Sequence, residues 1–173
     1  DDATHPNGWG TILVGGLNMG GKRICATVGG TDRNFDPVFY ALDVTNPEVP
    51  ELAWRINANN QGFSRLAMSF SRPQVGQVRH DGNVVPVVIF SGGYNTNKDY
   101  YTDPQPKVVG SNDATGNVVY VVNAQTGALI WEGLHADLVD SVPSDVTVAD
   151  TSGDGLIDRI LFGDSGGNIW RAD

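Results

Sequence analysis

Apolar residues come in short runs along this chain, each closed off by turn-forming residues. The runs are TILVGG (11–16), RICATV (23–28), PVFYALDV (37–44), ELAWRI (51–56), VVPVVIFSGG (84–93), VVYVVNA (118–124), ALIWEG (128–133), RILFGD (159–164) and NIWRAD (168–173). They are rich in Val, Ile and aromatic side chains, which pack well on a pleated surface and lose rotamer freedom in a helix. Gly, Pro, Asn and Asp interrupt the chain too often for long helices. The pattern predicts a nearly all-β chain. One helical stretch is expected at 134–140 (LHADLVD), with polar, Gly- and Asn-rich loops at 57–72 and 94–116.

The pattern also repeats. VFYALDVTNPEVPELAW (38–54) places an aromatic before Asp43, then a turn, then a strand ending in Trp54. VVYVVNAQTGALIW (118–131) does the same with Tyr120, Asn123, Thr126, Gly127 and Trp131. NIWRAD (168–173) begins a third copy, with Trp170 and Asp173 in the places of Tyr120 and Asn123. The repeated unit reads as a hairpin. A short Asp or Asn side chain bonds the turn backbone, Gly127 supplies a positive φ, and the returning indole staples adjacent sheets.

Asp43, Asn123 and Asp173 are spaced by 80 and 50 residues. Propeller blades run about 40 to 50 residues, so the longer step is two blades with one degenerate, or one blade with insertions. The expected fold is all-β and β-propeller-like: a partial or modified propeller with blades of antiparallel strands. Residues 1–173 form a single domain in this reading, a part of a larger propeller, because the chain stops in mid-repeat. Open sheet edges in such a part tend to pair with something.

Length and charge narrow the function. A chain of 173 residues can bury one sizeable core. Its formal charge of −9 argues against nucleic acid, whose binding relies on Lys and Arg neutralising phosphate, and suits divalent cations. The lone cysteine, Cys25, excludes an internal disulfide framework and a Cys-rich zinc site, and within RICATV it reads as a small buried hydrophobe. No apolar run approaches the ~20 residues of a membrane-spanning helix. The opening DDATHPNGWG has neither a basic nor an apolar signal region, so the signal of an exported protein would lie outside these residues.

The densest chemistry lies at DTSGDGLID (150–158). With Asp150 as position 1, Ser152, Asp154 and Gly155 fall at positions 3, 5 and 6, Leu156 at 7 and Asp158 at 9. This follows the first nine positions of the calcium loop D-x-[DN]-x-[DN]-G. Residues 1, 3 and 5 of a tightly wound loop turn their oxygens inward. A backbone carbonyl at position 7 adds an oxygen without charge, so Leu156 needs no polar side chain. Calcium takes about 6 to 8 oxygens, whereas magnesium prefers fewer protein ligands and zinc wants His or Cys. Position 12 is Leu161 rather than the EF-hand Glu, and RILFGD reads as a strand, so Asp158 is expected to close a calcium site on a β-scaffold. The competing reading is an acidic turn with Asx-type backbone bonds. Asp164 in GDSGGN and Asp81 in RHDGN read as turn formers, and His80 as solvated. GDSGG matches the surroundings of a serine-protease nucleophile, but His5, His80 and His135 lie in no supporting motif.

These residues carry a family resemblance. WGTILVGGLNMGGK (9–22), FYALDVTNP (39–47), SFSRPQVGQV (69–78), VVIFSGGYN (87–95), VVNAQTGALI (121–130) and DTSGDGLIDRILFGDSGGNIWRAD (150–173) occur in this order. Together they resemble the C-terminal β-propeller of the PilY1/PilC family, adhesins associated with the type IV pilus tip. The resemblance implies a large exported bacterial protein at the cell surface, pilus tip or outer membrane. It implies a Ca²⁺ loop tied to pilus extension against retraction and to surface adhesion, with pilus subunits or minor pilins and a host or abiotic surface as partners. The family's calcium ligands fall on Asp150, Ser152, Asp154, Leu156 through its carbonyl, and Asp158. Two departures stand out. KRICATVGGTDRNFDPVFYALDV holds an insertion ahead of the Ala-Leu-Asp strand, and no Arg-Gly-Asp tripeptide supports integrin-type adhesion.

The expected function is therefore a calcium-binding, non-catalytic module of the pilus machinery. The alternative is a fragment of a quinoprotein-type, pyrroloquinoline-quinone-dependent dehydrogenase, whose tryptophan-docking repeat NAQTGALIW resembles. Cys25 alone cannot supply the adjacent-cysteine disulfide often found over that quinone. A third reading is a purely structural repeat with an incidental metal.

Overall fold

The structure, a computed structural model, describes residues 5–18, 24–28, 30–35, 39–96 and 112–173. The strands among them are β1 (Ile12–Gly16), β2 (Ile24–Val28), β3 (Thr31–Phe35), β4 (Phe39–Asp43), β5 (Glu51–Ile56), β6 (Gln74–His80), β7 (Asn83–Ser91), β8 (Val119–Asn123), β9 (Leu129–Gly133), β10 (Thr147–Ala149), β11 (Arg159–Gly163) and β12 (Ile169–Ala172). All pairings are antiparallel. The strands form four separate sheets, ordered β1-β4-β5, β2-β3, β6-β7-β8-β9 and β10-β11-β12. The all-β class is as expected. The sheets remain distinct, and none of them closes into a ring.

The four-stranded sheet sits between two cores. On one face Val88, Phe90, Val118, Tyr120 and Val122 pack with Phe39, Ala41, Trp54 and Ile56 of the first sheet, and with Phe63 and Leu66. On the other face Val87, Ile89, Val119 and Val121 pack with Ile160 and Phe162 of the last sheet, and with Leu138, Val142 and Val146. Successive side chains of a strand point to opposite faces. Strands β7 and β8 are apolar at consecutive positions because both of their faces are covered, which is how a doubly buried strand reads. Aromatic rings concentrate on the first face: Phe39 stacks on Phe90 with centroids 4.0 Å apart, and Tyr120 tilts against Phe63 at 5.0 Å.

Three strands carry little apolar signal. β6 (QVGQVRH) alternates between half-buried and exposed positions over most of its length as a sheet edge. β3 (TDRNF) is mostly polar, and β10 (TVA) is three residues long. The hairpin expected at RHDGN is present: His80 pairs with Asn83, and Asp81 and Gly82 have φ of 49° and 80°. Positive φ at both central residues gives the turn a twist that matches the strands it joins.

The repeat is visible at the level of register. Trp54 pairs with Ala41, Trp131 pairs with Val121, and each pairing is followed by a register shift, between Ala41 and Leu42 and between Val121 and Val122. The cap residues act alike. The Thr45 amide donates to Asp43 Oδ1 at 2.9 Å, and the Gln125 and Thr126 amides donate to Asn123 Oδ1 at 2.9 and 3.0 Å. Trp54 is the expected staple. Its indole donates to the Ala124 carbonyl at 2.8 Å, in the turn that follows β8. Its ring lies against Gly127, where a Cβ would come within 2.9 Å of the indole, so the turn can approach only because that position has no side chain. Trp170 instead bonds within its own hairpin, donating to Asp164 Oδ2 at 2.7 Å.

The helix expected at 134–140 does not form. The segment after β9 is a turn, with the Leu138 amide bonded to the His135 carbonyl at 3.1 Å. The Val139 carbonyl accepts from the Asp113 amide and the Leu138 carbonyl from the Asn117 side chain, which ties the segment to neighbouring chain; seven residues are too few to hold a helix by themselves. Residues 57–72 are irregular as expected, while the central part of the 94–116 loop lies outside the described residues. Cys25 falls on β2, opposite Asn34. Its expected burial concerns a side chain outside the described ones.

Removing the staple should cost measurable stability. Trp54→Ala is expected to lower the unfolding free energy by about 3–5 kcal/mol, as large-to-small core substitutions do. Trp54→Phe, which keeps a ring but loses the N–H, is expected to cost about 1 kcal/mol. Urea denaturation of both variants checks this; a Trp54→Phe variant as stable as the wild type would show that the Ala124 hydrogen bond contributes nothing of its own.

Candidate metal centre

Residues 150–158 join β10 to β11, and strand pairing fixes both ends of this loop. Its exit is held twice: the Asp158 amide donates to the Ala149 carbonyl at 3.0 Å, and the Ile157 amide donates to the Gln77 carbonyl of β6 at 2.8 Å. The Ile157 side chain lies over Gly76, where a Cβ would come within 2.3 Å of Ile157 Cδ1. The loop therefore straddles the seam between the four-stranded sheet and the last sheet. Asp150, Ser152 and Asp154 are exposed, while Leu156 and Asp158 are half-buried.

Two carboxylates organise the loop from its ends. Asp150 Oδ1 accepts the Gly153 amide at 2.6 Å, and its Oδ2 accepts the Gly155 amide at 2.7 Å. Gly153 and Gly155 have φ of 78° and 84°, a conformation that turns their N–H groups inward and that side chains rarely adopt. Asp158 reaches back across the loop. It accepts from the Thr151 amide at 3.0 Å, the Thr151 hydroxyl at 2.8 Å and the Ser152 amide at 3.1 Å. Asp154 Oδ1 accepts the Leu156 amide at 3.0 Å, and the Ser152 hydroxyl lies 3.3 Å from Asp150 Oδ1.

The predicted site residues thus share one loop, with their carboxylates turned onto its backbone N–H groups. Among the described residues, no three His, Cys, Asp or Glu side chains gather as a group that could hold a metal ion. The donor chemistry nevertheless suits a hard cation. Three carboxylates and a hydroxyl lie on nine consecutive residues, with neither His nor Cys among them. A carboxylate offers about four lone-pair sites; the loop's own donors take up those of Asp150 and Asp158, whereas Asp154 accepts a single N–H.

The electrostatics follow from these bonds. The Gly155 amide, with Gly153, Ser152 and Asp154 behind it, outweighs desolvation and holds Asp150 below the ordinary carboxylate range. The Thr151 hydroxyl and amide do the same for Asp158. Asp43 is lowered to about 2, chiefly by the Thr45 amide and hydroxyl, with His5 at 2.5 Å adding to it. For Asp164, burial raises the value, but the Trp170 indole and the Asn168 side chain and amide prevail and lower it. Asp164 is the turn former expected in GDSGGN.

The histidines are dispersed. His80 is exposed, 3.5 Å from Asp81, and His135 lies 3.7 Å from Asp137 with its ring against Trp170. Ser165 of GDSGG sits 3.1 Å from the Ser141 hydroxyl and 3.5 Å from Asp113. Sequence reading missed this cluster. Asp113 is buried, accepts the Ser141 amide at 2.8 Å, and borders a polar cavity of about 380 Å³ that Arg65, Asn117 and His135 also line. NDATGN around it reads as an ordinary turn, so no signal distinguished it.

No protein-family model matches the chain. Among curated proteins it is 28% identical over 172 residues to the type IV pilus biogenesis factor PilY1 of Pseudomonas aeruginosa strain UCBPP-PA14, covering 99% of this chain and 12% of that protein. It is 29% identical over 175 residues to PilY1 of strain PAO1, again covering 99% and 12%. A PilY1 homolog of Xylella fastidiosa strain Temecula1 is 26% identical over 173 residues, with 98% of this chain and 10% of the homolog covered. Among solved structures, the crystal structure of the P. aeruginosa PilY1 C-terminal domain matches with a TM-score of 0.56 and 23% identity, over 87% of this chain and 29% of that one. The resemblance read from the sequence stands: this chain is related along nearly its whole length to PilY1 and shares the fold of a part of the PilY1 C-terminal domain. It spans about an eighth of the length of these relatives.

Asp150 and Asp158 ionise more readily in the folded loop than in an unfolded chain. Their bonds therefore support the loop fully above the ordinary aspartate value of about 3.9, and that support is lost as the pH falls through their lower folded values. Carboxyl-carbon NMR titration should give both residues midpoints below about 3.9. Midpoints at or above the ordinary value would show that the N–H bonds do not hold in solution.

Proposed function

We propose that this chain is a calcium-binding β-propeller module of a type IV pilus protein of the PilY1 kind, acting at the bacterial surface and without catalysis of its own. The observation that carries the reading is the 150–158 loop, with its acidic oxygen set in calcium-loop order on a chain related to PilY1 over 99% of its length. Residues 1–173 then serve as one part of a propeller, with the three larger sheets as its blades. The relatives are described as biogenesis factors for the type IV pilus, which favours a binding module over a quinoprotein dehydrogenase.

Asp150, Ser152, Asp154, the Leu156 carbonyl and Asp158 would hold the ion. Calcium would supply the positive charge that lets Asp150, Asp154 and Asp158 lie close together. The chain's own part is to present them: Gly153 and Gly155 fold the loop inward, and Ile157 fastens its exit to Gln77 on the neighbouring sheet. A metal that binds only the ordered loop favours that order. The ion thereby stiffens the rim of the seam between two sheets, and its loss loosens it. Partners consistent with this role are pilus subunits or minor pilins and a host or abiotic surface. In the intact protein, the ordered rim supports pilus extension and adhesion.

Titration calorimetry of chelator-stripped protein should show heat with Ca²⁺ and much less with Mg²⁺. Calcium should also raise the melting temperature, and Asp154→Ala should abolish both effects. Asp154 accepts one N–H, from Leu156, so this change disturbs the apo loop less than loss of Asp150 would. No heat and no thermal shift in the wild type would remove the site. Normal pilus assembly and retraction in cells carrying Asp154→Ala would leave the metal without a regulatory role.

A further inference from the structure

Gly76 lies in the middle of β6, paired with Val87, and its φ is not positive. A glycine in a strand interior weakens the strand, and one that no turn requires marks a close approach. The group that approaches is Ile157. A Cβ on Gly76 would overlap Ile157 Cδ1 and stand 3.1 Å from its Cγ1. The adjacent Gln77 carbonyl accepts the Ile157 amide at 2.8 Å, so side chain and backbone are both held at this point. Ile157 and Val78 are half-buried and pack against the second core.

Ile157 stands between two of the proposed ligands. Leu156 precedes it with the carbonyl of position 7, and Asp158 follows it with the closing carboxylate. Asp150, Ser152 and Asp154 are arranged by bonds within the loop itself. Leu156 and Asp158 differ, because the residue joining them is seated on another sheet. A shift of Ile157 moves both of its neighbours at once.

We propose that Ile157 seated on Gly76 is the positioning contact of the 150–158 loop, setting where the Leu156 carbonyl and Asp158 stand relative to Asp150 and Asp154. Calcium affinity is then coupled to the packing of the last sheet on β6, an inference that rests on the calcium reading above. The coupling is reciprocal. The ion draws the last sheet and β6 together, and whatever parts them weakens the ion.

A volume-conserving exchange tests this. Gly76→Val fills the notch with a side chain that strands favour. A cavity of about 320 Å³ beside the contact, which Val78, Ile89, Val121 and Asp158 help to line, leaves the displaced Ile157 somewhere to go. Titration calorimetry of Gly76→Val with Ca²⁺ should show affinity about tenfold weaker than wild type, as for residues coupled by contact. Ile157→Ala removes as many carbons as Gly76→Val adds, and the double variant should bind Ca²⁺ more tightly than either single one. In chelator the Ile157 amide of Gly76→Val should exchange with solvent faster than in wild type, and Ca²⁺ should slow that exchange in wild type. The Trp54 indole N–H reports that the rest of the fold is intact. If Gly76→Val does not fold, Gly76→Ala with Ile157→Val makes the same comparison.

A Gly76→Val protein that melts lower in chelator but binds Ca²⁺ as wild type does would make the contact structural only and overturn the proposal. A double variant no tighter than the single ones would overturn it as well. Wild type that takes up no Ca²⁺ is a different result: it overturns the calcium reading, and this inference with it.

Discussion

The architecture depends on the burial of one sheet on both faces. Phe90 and Tyr120 look into one core while Ile89 and Val121 look into the other, so the sheet made of β6 to β9 is the shared wall of two cores. The first and last sheets do not pack on each other in either cluster. Each is held by the hydrophobic surface it covers on the middle one. The 150–158 loop inherits its position from this arrangement, because it leaves the last sheet and fastens to β6 of the middle sheet.

A second device recurs at the turns. Asp43, Asn123, Asp164 and Asp150 each turn a short side chain onto amides a few residues ahead. Several of the chain's aspartates thus serve as local hydrogen-bond acceptors. The β10–β11 loop differs from the other turns in degree: three acidic side chains are committed to one stretch of nine residues, and each accepts amide hydrogens from it.

Strands that bury two faces were the most legible from sequence, since VVIF and VVYVV have no other economical reading. The repeated hairpin was legible because Asp43 and Asn123 are fixed by turn chemistry, and Trp54 and Trp131 by cross-strand pairing. Edge strands were not: β6 owes its place to pairing with β7 rather than to its own apolar residues. The helix expected at 134–140 did not form: seven residues are too few to sustain one alone, and the segment is tied instead to Asn117 and Asp113, distant in sequence. For the loop, residue order announced the glycines and the acids. It could not announce that Asp158 would fold back onto Thr151 and Ser152, since that bond depends on where strand pairing places the two ends.

The unequal furnishing of the two faces of the middle sheet has a further consequence. A strand with one wet face resists slipping by a single residue, because the slip would drive polar groups inward. β8 has no such safeguard: Val119, Tyr120, Val121 and Val122 are all water-avoiding, so sliding it one step past β7 would bring no charge into the interior. Shape takes over the task. The side facing Phe39 and Phe63 holds the Tyr120 ring, and on the opposite side the sheet itself contributes only Val87, Ile89, Val119 and Val121. A mis-registered β8 would press a phenol into a space sized for a branched aliphatic chain, and alignment is kept by bulk where polarity is silent.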